Sequence, residues 1–101
     1  MLPALAAMAI GGAPAERDYR VAIHNAPRAH VSLRANVPQG WIAAFCTPSV
    51  CAPGHVVVRV PANGEAIIAL HVYRVADAAP HRGNVTVADD RRNRLSLNVS
   101  L

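Results

Sequence analysis

The chain has no lysine, few aromatic side chains, only two cysteines and no long apolar run, and each shortage closes off a class of protein. All ten basic residues are arginine. Beside abundant Ala, Pro and Val, that reads as the coding bias of a GC-rich, bacterial genome rather than as a surface selected for binding. The formal charge of +4 is therefore weak ground for a nucleic-acid partner, and no aromatic-plus-basic motif supports one. Aromatics make up 4% of the chain, so its interior has to be built from Val, Leu, Ile and Ala. With 101 residues there is room for one core and no second, catalytic domain. The apolar fraction of 52% excludes a disordered chain.

The longest apolar stretch, LPALAAMAI at residues 2–10, falls well short of the roughly 20 residues that cross a bilayer. It is followed by Ala13-Pro14-Ala15, the small-x-small form that signal peptidase cuts after. No Arg precedes the run, so the charged start of a signal peptide is missing. The expectation is a leader at residues 1–15, export to the periplasm or beyond, and a folded domain at residues 16–101.

From Asp18 onward, apolar residues recur every second position, the mark of half-buried strands. Tyr19, Val21 and Ile23 form one inward set, with Arg20 and His24 facing water, and Val31, Leu33, Ala35 and Val37 form the next. After the Pro38-Gln39-Gly40 turn, Trp41, Ala43 and Phe45 share a face. Val56, Val58 and Val60 follow, closed by an Asn-Gly turn in PANGE. Then come Ile68, Leu70 and Val72, next Val85 and Val87, and finally Leu95, Leu97, Val99 and Leu101. No segment carries a helical stripe. The expected fold class is all-β, an antiparallel two-sheet immunoglobulin-like sandwich of about seven strands, with a small barrel as the alternative.

The order DYRVAIHN, VSLRANVPQGW, PANGEAIIALHVYRV and GNVTVADD resembles the immunoglobulin-like or fibronectin type III-like domains of bacterial exported and cell-surface proteins. In those domains a P-x-G-W segment introduces the middle strand and a P-A-x-G-E turn precedes a strand of the second sheet. The resemblance spans residues 17–101 and implies no catalytic residues. It departs from antibody domains in one respect, because Cys46 and Cys51 flank a single strand end.

Those two cysteines, with Trp41 and Phe45, fall within eleven residues, WIAAFCTPSVC. Only one pairing is possible, and a disulfide closing so small a loop adds about 2 kcal/mol. The expected roles are a loop staple for Cys46 and Cys51 and core anchors for Trp41 and Phe45. A catalytic dithiol is disfavoured, since the spacing is not C-x-x-C. The rival is a small metal-binding protein in which Cys46, Cys51 and His55 hold zinc, with His24, His30, His71 or His81 as a fourth ligand. A copper version would need an axial Met, and the only candidates are Met1 and Met8. Asp89-Asp90 beside Arg91-Arg92 reads as a charge-balanced turn rather than a calcium loop, and NVT at 84 and NVS at 98 as strand sequence rather than glycosylation sites.

The expected function is a non-catalytic, exported interaction module without a cofactor. It would bind a protein or glycan partner through the loops at 46–55 and 76–83 or through a sheet edge. A third reading is a polyanion binder using Arg82, Arg91, Arg92 and Arg94.

Overall fold

The computed structural model describes residues 3–12, 14–24, 30–61 and 64–101. Ala13 of the small-x-small motif, Arg28, and Asn63 of the Asn-Gly turn lie outside the described residues.

Among the described residues there is no helix and there are nine strands: β1 (Leu5–Gly11), β2 (Glu16–Ile23), β3 (His30–Asn36), β4 (Trp41–Cys46), β5 (Cys51–Pro53), β6 (His55–Arg59), β7 (Ala66–Arg74), β8 (Arg82–Asp89) and β9 (Arg94–Ser100). They form two antiparallel sheets, ordered β1-β2-β7-β4-β5 and β6-β3-β8-β9. The all-β sandwich is thus as expected, with two more strands than the seven read from the alternation.

One additional strand is β5, only three residues long and containing Pro53, too short to alternate visibly. The other is β1. The run expected as a leader pairs with β2 from Leu5 opposite Ile23 to Gly11 opposite Asp18, through a bulge between Ala9 and Gly11, and Leu5 is buried. Its period is hidden because the outward residues Ala6, Met8 and Ile10 are as apolar as the inward ones.

Taken in chain order, β1, β2, β3, β4, β7, β8 and β9 reproduce the constant-type immunoglobulin arrangement. One sheet runs first–second–fifth–fourth and the other third–sixth–seventh; β5 and β6 each extend one outer edge.

Between the sheets, Tyr19, Val21, Ile23, Ile68, Leu70, Val72, Trp41 and Phe45 pack against Val31, Leu33, Val58, Val85, Val87 and Val99. Phe45 and Leu70 lie directly opposite each other on neighbouring strands and are both fully buried. Leu95 and Leu97, expected inside, are only half-buried, because β9 is an edge strand with no neighbour beyond it. His24, expected to face water, is 12% exposed, and its backbone N–H donates to Ala4 O.

Trp41 enters through a tight turn in which its N–H donates to Pro38 O and Gly40 takes φ +87° at the third position, which a side chain resists. Its indole Nε1 then donates to Pro80 O at 2.7 Å. The ring lies over Gly83, where a Cβ would stand 3.3 Å from the indole and 2.5 Å from Pro38 Cγ. A glycine on β8 thus makes room for the one tryptophan.

Candidate interaction face

Alternation that sends valines inward sends their neighbours outward. On the four-stranded sheet the outward set is His55, Val57 and Arg59 on β6, His30, Ser32, Arg34 and Asn36 on β3, Arg82, Asn84, Thr86 and Ala88 on β8, and Arg94, Ser96, Asn98 and Ser100 on β9. Register then sets these residues in rows. His55, Arg34, Ala88 and Arg94 form one straight row across all four strands. Asn36, Thr86 and Ser96 form the next, followed by Asn84 opposite Asn98 and Arg82 opposite Ser100. In the other direction lie Ser32 with Val57 and then His30 with Arg59.

Four arginines therefore share one outward, mostly polar face. Among the described residues none of the four is ion-paired. At one border of the face, Asp89 and Asp90 line a pocket with Ser32, Leu33, Arg34, His55 and Ala88. In the middle of the face, Asn84 Nδ2 donates to Asn98 Oδ1 at 3.3 Å and Thr86 Oγ1 donates to Asn84 Oδ1 at 3.2 Å.

The polyanion-binding set expected from the sequence is Arg82, Arg91, Arg92 and Arg94. The structure brings Arg82 and Arg94 to the face together with Arg34 and Arg59, which that set omits. Their grouping follows from strand register across β6, β3, β8 and β9, which the linear order of residues does not contain.

Arg91 turns the other way. Its Nε donates to Asp89 Oδ2 at 2.8 Å, and its terminal nitrogens donate to His24 O and Ala4 O at 3.1 and 3.5 Å. It ties the β8–β9 turn to the ends of β1 and β2, across the two sheets.

Asp89 is the receiving half of this tie. Its carboxylate also accepts from the backbone N–H groups of Arg91 and Asn93 and from the Asn93 amide. Burial by itself would raise the Asp89 pKa, but the hydrogen bonds from Asn93 and Arg91 outweigh it and hold the carboxyl below its ordinary value. Arg92 at the turn tip takes φ +68°.

Cys46 and Cys51 are joined by a disulfide and sit directly opposite each other on β4 and β5. With both sulfurs bonded to each other, neither is a thiolate ligand, and His55 lies on the other sheet's outer row beside Arg34. The three potential donors that the described residues bring together are instead Glu16, Asp18 and His71, within 4.8 Å of one another. Asp18 and His71 are cross-strand partners, and His71 Nδ1 donates to Asp18 Oδ1 at 2.6 Å, so this pair is satisfied without an ion.

The two loops expected as contact regions are held by internal hydrogen bonds at some positions, while residues 47–50 and 76–78 remain exposed. Thr47 N–H donates to Val50 O and Thr47 Oγ1 accepts from Val50 N–H, closing the tip at 46–51, while Pro80 and buried Ala79 belong to the Trp41 seat.

Neither a protein-family model nor a curated protein matches this chain.

Proposed function

We propose that this chain is a non-catalytic, exported interaction module, an immunoglobulin-like domain of bacterial type that holds an acidic partner on the outer face of its four-stranded sheet. The observation that carries the reading is the convergence of Arg34, Arg59, Arg82 and Arg94 on one outward face without carboxylate partners among the described residues. Four exposed guanidinium groups on a rigid lattice attract anions at long range and offer bidentate contacts at short range. The Cys46–Cys51 disulfide supports an oxidising compartment. The strand order supports the immunoglobulin-like kinship. The sheet face is preferred to the loops as the contact surface because it gathers four arginines, whereas the loops at 46–55 and 76–83 hold only Arg82.

Binding to dextran sulfate, a generic polyanion, tests the reading. By the counterion-release slope, four arginine contacts give an affinity that falls roughly 50- to 150-fold between about 50 and 200 mM salt. The double variant Arg34→Gln/Arg94→Gln should flatten that slope by about two units. Salt-insensitive binding, or an unchanged slope in the folded variant, removes the sheet face from the function.

A further inference from the structure

We propose that the acidic partner is a linear, carboxylated polysaccharide lying along the strands of the four-stranded sheet; this rests on the reading of that face given above. The argument is one of spacing. From Arg59 to the row holding His55 is four residues of β6, and from the same row at Ala88 to Arg82 is six residues of β8. At about 3.4 Å per residue these are steps of roughly 14 and 20 Å, in a strip about 34 Å long. Positive charge is therefore sparse along the strip. The longer interval is filled by uncharged hydrogen-bonding groups, Asn36, Thr86, Ser96, Asn84 and Asn98.

A ligand complementary to this pattern carries well-separated anions with many hydroxyls between them. A polysaccharide with an acid on some sugars and hydroxyls on all of them has that distribution. Nucleic acid does not, since its phosphates follow one another at every nucleotide and its bases ask for aromatic platforms. The face has none. Trp41, Phe45 and Tyr19 are buried between the sheets, and Tyr73 lies on the other sheet, opposite Glu16 and Ile42. An acidic peptide carries no regular run of hydroxyls to meet the amides and hydroxyls that lie between the arginines. The side-chain amides of Asn84 and Asn98, exposed and facing each other across β8 and β9, supply donors and acceptors in pairs, which suits vicinal hydroxyls.

Calorimetric titration of the whole chain with size-graded hyaluronan oligosaccharides, which carry a carboxylate on alternate sugars, and with poly-L-glutamate, a thymidine oligonucleotide and dextran sulfate at one low salt concentration provides the test. The expected result is tightest binding by the hyaluronan oligosaccharides, with affinity rising with length until the ligand covers the strip and then levelling. Asn84→Ser/Asn98→Ser should weaken hyaluronan binding about 10-fold while leaving dextran sulfate binding within about 2-fold, because only the former uses the amides. If poly-L-glutamate or the oligonucleotide binds as tightly as the hyaluronan oligosaccharides, or affinity is independent of oligomer length, the polysaccharide assignment falls while the arginine face stands. If no polyanion binds, dextran sulfate included, both fall. The comparison of ligands uses the unaltered protein, so it decides the matter even where a variant fails to fold.

Discussion

Replacing Asp89 by Ala should bring this domain close to unfolding, although the residue sits in a turn. The perturbation removes the acceptor of four hydrogen bonds of 2.8 to 2.9 Å, two from Arg91 and two from Asn93. The Asp89 side chain has no exposed surface and that of Arg91 is 11% exposed, so these hydrogen bonds are made out of contact with bulk water. The guanidinium would stay beside His24 O and Ala4 O with no counter-charge. Removing one partner of a buried ion pair costs about 3–5 kcal/mol. Small domains have only about 5–15 kcal/mol in total.

Urea unfolding followed through Trp41 emission measures the loss. At about 1–2 kcal/mol per molar urea, the midpoint should fall by about 1.5–5 M. The double variant Asp89→Ala/Arg91→Ala should cost less than the sum of the single changes, because it removes the stranded charge along with its partner.

The effect has a pH signature. The folded carboxyl titrates below its unfolded value of about 3.9, so its contribution is complete above that value and is lost as pH falls through the lower, folded one. The stability gap between the unaltered protein and Asp89→Asn should therefore narrow as pH drops below about 4. A cost under about 1 kcal/mol at neutral pH, or a gap that does not change in acid, refutes the account of the turn as a latch between sheets.

Two further outcomes follow from the packing around Trp41 and the disulfide. Gly83→Val places a side chain where a Cβ already meets Pro38 Cγ at 2.5 Å, so it should cost about 1–3 kcal/mol and shift the indole N–H resonance. An unmoved resonance at full stability would show that the ring does not rest on that glycine. Reduction of Cys46–Cys51 should cost only about 2 kcal/mol and leave the sandwich folded, with faster amide exchange confined to β4 and β5. Two free thiols in non-reducing conditions would contradict the bond itself.

The inward half of the molecule was legible because alternation is a local property. Val31, Leu33, Val85 and Val99 each announce themselves through polar neighbours on both sides. Where that contrast fails, so does the reading: β1 is apolar on both faces, and β5 is too brief to show a period. The outward half depends on register, which the one-dimensional order does not contain. Asp18 and His71 are 53 positions apart yet hydrogen-bonded, and Arg34 meets the row of Arg94 only because β3 and β9 both flank β8. Arg91 and Arg94, three residues apart, have unrelated roles for the same reason: one lies in the turn and folds back onto Asp89, the other has entered the strand and alternates outward.

The two outer surfaces differ in charge, and this has a physical consequence of its own. The outward positions of β2 carry Glu16, Asp18 and Arg20, close to a balance, while those of the four-stranded sheet carry four arginines. Separated by the thickness of the sandwich, these sets give the molecule a permanent electric dipole directed from sheet to sheet. Near any negatively charged boundary such a body rotates before it touches, so its encounters are already aligned when contact begins and fewer collisions are wasted on the wrong side.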